Sequence, residues 1–326
     1  MTTNSDATPA DNDDRIYDRD VRSIIDAMRA RRAPSLQATG IDATRRALEA
    51  IPRPPGPDMQ AVRSLEFDGP HGPVPVRVYR PHSVPERDAP ALVWFHGGGM
   101  IMGSLESFDR LAREVAAAAH AVVVNVGYRL APEHPYPVAH DESYAAVCWV
   151  HENAGQWGVD PTRIGVGGDS AGGGLAAATA LRARNENGPH LAQQVLIYPG
   201  LERRRESPSM LRFGDSPFLR AGDIDWMKSL YLGDDPSTDD EYGVPASAAD
   251  LSELPPAIVV CGYADPLRDG VEDYGRRLQE SGVAAAIIRY PGVGHGFFMQ
   301  TASVARARMA MAEVGALVAA RFAHGS

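Results

Sequence analysis

Five consecutive residues, Gly168-Asp169-Ser170-Ala171-Gly172, set a hydroxyl between two glycines, each two positions away. A serine acts as a nucleophile when its Oγ projects from a sharp, strained turn between a strand and a helix, and such a turn admits only the smallest neighbours at those positions. The flanks supply that context. Arg163-Ile164-Gly165-Val166 reads as a buried strand, and the residues after Gly172 read as a helix rich in small side chains. The alternative is a tight strand-to-helix turn with a capping Ser. A dinucleotide loop fits poorly: Gly165-x-Gly167-x-x-Ser170 puts Ser where the third Gly belongs, and no acidic strand end follows about 20 residues later.

Acyl transfer needs more than a nucleophile. His96-Gly97-Gly98-Gly99 follows an apolar run, and successive glycines leave backbone N–H groups free to meet a developing oxyanion. Each such donor is worth roughly 3–4 kcal/mol of transition-state stabilisation. The expected donors are Gly98, Gly99 (or Gly97) and Ala171, the last at a helix N-terminus where the dipole also favours negative charge. Without Ser170 the glycines would read as a flexible turn. Three of the ten histidines compete as base. His295 stands in the glycine-flanked stretch Pro291-Gly292-Val293-Gly294-His295-Gly296-Phe297, after the last strand-like run, and is the expected base. His96 is expected to fix the glycine loop by hydrogen bonding, and His134 to be structural. Asp265 is the expected acid, orienting the imidazole and stabilising the imidazolium. Its competing role is a helix N-cap followed by Pro266, and its competitor Asp269 would lie inside that helix. There is no H-E-x-x-H and no cysteine pair at ligand spacing, so no metal or other cofactor is implied.

These groups need a frame. Strand-like runs occupy residues 62–67, 74–79, 91–95, 121–126, 163–166, 193–198, 257–261 and 284–290. Several are continuously apolar, as strands buried on both faces of a parallel sheet are. Helical patterns separate the later runs, over about 104–119, 141–156, 171–184, 268–281 and 303–323, which predicts an α/β sheet with right-handed crossovers. The two early strands predict an antiparallel edge. Ahead of the sheet lie a tail over residues 1–14 expected to be disordered, helices over about 15–30 and 42–50, and a stiff linker built on Pro52, Pro54, Pro55 and Pro57. The catalytic domain is expected over 59–326, with an insertion at about 201–250 that breaks the alternation; an insertion of that length is usually functional.

Composition narrows the function. The 326 residues carry 32 Lys+Arg against 42 Asp+Glu, a net charge of −10, which argues against nucleic acid and anionic membrane surfaces. Lys228 is the only lysine and follows Asp225-Trp226-Met227 rather than a glycine cradle, so a Walker phosphate loop is excluded and Schiff-base chemistry is disfavoured. Cys148 and Cys261 are read as small packed residues. With no apolar leader and no membrane-spanning run, a cytoplasmic protein is expected.

Taken together, Phe95-His96-Gly97-Gly98-Gly99, Tyr128-Arg129-Leu130-Ala131-Pro132-Glu133, Gly168-Asp169-Ser170-Ala171-Gly172-Gly173, Asp265-Pro266-Leu267-Arg268-Asp269 and His295-Gly296-Phe297 resemble the hormone-sensitive-lipase-like carboxylesterases, bacterial family IV, in the GDSAG subgroup. The order Ser170, Asp265, His295 is also the α/β-hydrolase order. The resemblance implies an eight-stranded, mostly parallel α/β-hydrolase sheet with helices on both faces and a helical cap made of the N-terminal helices and the insertion. It implies a serine carboxylesterase for small, short-chain acyl esters, and often pairing of two copies through the last strand and helix. Met100, Met102, Met210, Phe213, Phe218, Trp226 and Tyr231 are candidates for an apolar substrate wall, with cap-to-core packing as their alternative role. Three departures stand out. Gly270-Val271 replaces the usual Glu-Gly, Gly174 replaces a common Asn, and Met100-Ile101-Met102 replaces an aromatic after the glycines. The Glu loss is expected to loosen contacts between its helix and residues 128–133, and the methionines to reshape the pocket. Alternatives are an amidase, lactonase or peptidase using the same triad, a non-catalytic ligand-binding relative, and an interfacial lipase.

Overall fold

A computed structural model describes residues 14–203, 206–233 and 240–324. The tail expected at residues 1–14 lies outside the described residues, apart from its last position. Three helices come first: α1 (Arg19–Arg31), α2 (Leu36–Thr39) and α3 (Ile41–Glu49). The short α2 has no counterpart in the sequence pattern; Ser35 starts it by accepting from the Ala38 N–H.

The sheet has eight strands: β1 (Ala61–Gly69), β2 (Gly72–Arg80), β3 (Ala89–Phe95), β4 (Val122–Val126), β5 (Val159–Asp169), β6 (Gln194–Ile197), β9 (Ala257–Ala264) and β10 (Ala285–Gly294). Their spatial order is β1-β2-β4-β3-β5-β6-β9-β10. β1 and β2 are antiparallel to their neighbours and the other pairings are parallel, as the early hairpin and later alternation predict. Two apolar layers sandwich the sheet. Along β3, Ala91, Val93 and Phe95 enter one layer while Leu92 and Trp94 enter the other. A strand lined on both faces has no polar side to alternate with, which is why its sequence is a continuous apolar run. Helices α5 (Val138–Asn153), α6 (Ala171–Asn185) and α9 (Arg268–Glu280) cover the first layer; α1, α4 (Asp109–Ala119) and α10 (Ala305–His324) cover the second.

Helix α4 starts five residues later than its apolar pattern. Ser104 and Ser107 exchange N–H···Oγ hydrogen bonds of 2.8 and 3.0 Å, so their side chains hold a turn against the helix. Between β6 and β9 lie α7 (Pro208–Phe213), the two-residue strands β7 (Asp215–Ser216) and β8 (Leu219–Arg220), and α8 (Ala221–Leu232). This segment meets the N-terminal helices: the Leu36 N–H donates to Asp223 Oδ1 at 2.8 Å, and Arg220 donates to the Ala33 carbonyl. No helix among the described residues is long and apolar enough to cross a membrane.

Candidate active site

Ser170 joins β5 to α6 with φ 54° and ψ −118°, a conformation that side chains rarely adopt. The glycines around it are required by contact. A Cβ on Gly172 would collide with the Phe95 carbonyl, and one on Gly168 with the carbonyls of Gly172 and Phe95. The turn is therefore wedged against the end of β3.

The structure brings the three predicted groups together. Ser170 Oγ lies 2.8 Å from His295 Nε2, and His295 Nδ1 lies 2.8 Å from Asp265 Oδ2. Asp265 is fully buried and His295 is 7% exposed. With its proton on Nδ1 donated to the carboxylate, the imidazole leaves Nε2 to accept from the serine hydroxyl. Asp265 does not take its competing role, since the N-cap of α9 is Leu267. Its second oxygen, Oδ1, accepts from the Leu267 N–H at 2.8 Å, just ahead of α9. One carboxylate thus orients the histidine and anchors its own loop. Asp269 faces away, accepting from the Ser209 N–H at 2.7 Å.

The glycine loop needs a correction. The Gly97 N–H donates to Asp169 Oδ1 at 3.1 Å, so it is spent on the neighbouring carboxylate and is unavailable to an oxyanion. Gly98 and Gly99 have φ of +117° and +63°. Among the described residues nothing accepts from the N–H groups of Gly98, Gly99 or Ala171. His96 behaves as a loop fastener. It is buried between the rings of Phe108 and Tyr128, its Nδ1 lies 2.7 Å from the Gly97 carbonyl, and burial lowers its pKa to about 4. Asp169 is buried too, and burial raises its pKa to about 7 against the opposing pull of the Gly97 N–H and His295. His134 is exposed on the loop before α5.

An apolar cavity of about 630 Å³, mouth included, opens beside Ser170. Met100 and Tyr231 are in its wall; the other five wall candidates pack elsewhere. Met210 borders a separate small cavity, and Phe213 meets Tyr263 edge-on. Phe218 abuts Gly294, the Met102 carbonyl abuts Gly98, and Trp226 packs on the adjacent core layer. The residues missed include Leu201, Glu202, Leu219 and Leu267, and above all Ile224, Met227 and Lys228 of α8. Those three with Tyr231 recur at i, i+3, i+4 and i+7, a helical stripe that was legible in the sequence, and Trp226 lies off it. The Glu202 carboxylate occupies the space a side chain at Gly270 would enter.

A sheet of this order, with Ser170 in a strained turn after β5, Asp265 after β9 and His295 at the end of β10, has the α/β-hydrolase architecture. The family described as alpha/beta hydrolase fold matches residues 92–299, and the chain belongs to it. Similar proteins include the esterase LipI of Mycobacterium tuberculosis, 42% identical over 79% of this chain and 81% of that protein. The carboxylesterase NlhH of the same organism is 40% identical over 80% of this chain and 83% of its own length. Among solved structures, an ester hydrolase from the metagenome of Lake Arreo, complexed with a bipyridine phosphonate derivative, superposes with a TM-score of 0.88 at 35% identity, covering 94% of this chain and 99% of that one. A hyperthermophilic esterase from Pyrobaculum calidifontis gives 0.87 at 35% identity, covering 93% and 98%.

Proposed function

We propose that Ser170, His295 and Asp265 form the catalytic triad of a serine carboxylesterase acting on small, short-chain acyl esters. The observation that carries this reading is the continuous chain of 2.8 Å contacts from Ser170 through His295 to buried Asp265, beside an apolar cavity. The relatives named esterase and carboxylesterase support it.

Ser170 Oγ attacks the ester carbonyl carbon and its proton passes to His295 Nε2. Asp265 stabilises the resulting imidazolium, and the N–H groups of Gly98, Gly99 and Ala171 hold the oxyanion. Collapse expels the alcohol, which takes the proton from His295. Water then loses a proton to His295 and attacks the acyl-enzyme, and His295 returns that proton to Ser170 Oγ as the bond to the acyl group breaks and the acid leaves. Cavity walls of Met100, Leu201, Leu219, Ile224, Met227 and Tyr231 suit an acyl or alkyl group. The N-terminal helices and the segment between β6 and β9 act as the cap. The proposal also includes a cytoplasmic location, checked by cell fractionation, and a homodimer, checked by sedimentation.

Reaction with a p-nitrophenyl alkylphosphonate, followed by peptide mass spectrometry, tests the nucleophile. One adduct per chain on the peptide holding Ser170 is expected, with p-nitrophenol released stoichiometrically. An adduct on another residue, or none while ester hydrolysis continues, would refute the assignment.

A further inference from the structure

The loops carrying the base and the acid are each fastened from outside the sheet. Gly292, three residues before His295, has φ +79° and forms a bridge with Tyr17. The Asp18 N–H donates to the Gly292 carbonyl at 2.9 Å, and the Asp18 carboxylate fills the space a side chain at 292 would need. That carboxylate accepts from Arg306 Nε at 2.7 Å and Nη2 at 3.2 Å. Tyr17 and Phe218 close on Gly294, one residue from His295. On the acid side, Ser209 is fully buried, and its Oγ donates to the Pro266 carbonyl at 2.9 Å, one residue from Asp265. The same Oγ accepts from the Asp269 N–H at 3.1 Å, while the Ser209 N–H donates back to Asp269 Oδ2 at 2.7 Å. Neither Asp18 nor Ser209 touches Ser170 or a substrate wall.

We propose that Asp18 and Ser209, one from each half of the cap, are positioning residues that hold the histidine loop and the aspartate loop in register with Ser170. Asp18 and Arg306 are each about a third exposed, with side-chain exposures of 31% and 29%, so their ion pair adds little to stability. Its effect is geometric. Residues 17 and 18 hold the backbone just ahead of His295, and a shift of about 1 Å in a reacting group costs about a hundredfold in rate. Ser209 ties two points of the chain just after Asp265, the Pro266 carbonyl and the Asp269 N–H, to one hydroxyl. The cap therefore sets the alignment of the triad as well as walling the cavity.

This inference rests on the triad reading, and Ser170→Ala serves as the control for it. Steady-state hydrolysis of p-nitrophenyl acetate is measured for wild type, Asp18→Ala, Asp18→Asn and Ser209→Ala, with competent sites counted by phosphonate titration so that misfolded chains drop out. The expected result is a fall in kcat per titrated site of about 10–100-fold in Asp18→Ala and Ser209→Ala with KM within about twofold, and recovery of most of the loss in Asp18→Asn, which keeps the shape and an acceptor for Arg306. Unchanged kcat per titrated site in either alanine variant, or a loss confined to KM, would overturn the proposal. Activity surviving in Ser170→Ala would instead overturn the triad.

Discussion

Ser170 keeps a positive φ that costs of order 1–3 kcal/mol, and Gly168 and Gly172 are the contacts that make it attainable. The pentapeptide was readable in the sequence because each residue in it answers a steric demand. Gly97 was misread for the opposite reason: which of three adjacent glycines offers a free N–H depends on Asp169, far from them in sequence. Gly98→Ala puts a Cβ against the Met102 carbonyl at φ +117°, and should lower kcat by about 10²–10³ in ester hydrolysis, the cost of losing one oxyanion donor. Asp169 makes a second prediction. Its folded pKa of about 7 lies above the ordinary 3.8, so the native state holds a proton that the unfolded chain releases. The carboxyl therefore costs nothing below pH 4, costs more as pH rises toward 7, and costs a constant amount above that. Asp169→Asn should match wild type in thermal melting near pH 4 and exceed it from pH 7 upward.

At the scale of elements, all eight strands were legible: the inner parallel strands because they are apolar throughout, and the antiparallel β1 and β2, which are partly exposed, as an early hairpin. The direction in which a cap helix points its side chains was less so. The spacing of the stripe on α8 was readable, but the cavity shows that this face, and not the one with Trp226, lines the site. Helix α3 illustrates a link that composition could not reveal. Arg45 donates to the Ile101 carbonyl at 2.7 Å, the Ala131 carbonyl at 2.8 Å and both Glu133 oxygens at 2.7 and 2.8 Å. One guanidinium thus joins the N-terminal helices to the segment after the glycine loop and to residues 131–133. Arg45→Ala should cost about 1–3 kcal/mol in chemical denaturation, and Arg45→Lys should recover little of it, because an ammonium cannot fork across these acceptors.

The whole molecule sets its own pH limits. Burial lowers His96 to about 4, and burial together with Arg182 lowers His140 to about 4. Between pH 4 and 6.5 the unfolded chain takes up two protons that these native histidines refuse, while native Asp169 keeps one that the unfolded chain loses. Two minus one leaves one proton, so stability rises with pH by about 1.4 kcal/mol per unit from these three groups. Thermal melting should show this rise; a flat profile would mean that one of the two histidines is protonated in the native state, and a fall that both are. The same burial that tunes these groups encloses Asp265 and His295, and the sheet brings Ser170, Asp265 and His295 together from strand ends 95 and 30 residues apart, as the positions in the chain give. The most direct test of that assembly is hydrolysis of p-nitrophenyl esters of increasing acyl length by wild type and Ser170→Ala in parallel. The structure predicts strong wild-type turnover on short chains and a loss of about 10⁴–10⁶ in the variant. Equal rates in the two proteins would contradict it, leaving Ser170 a turn residue.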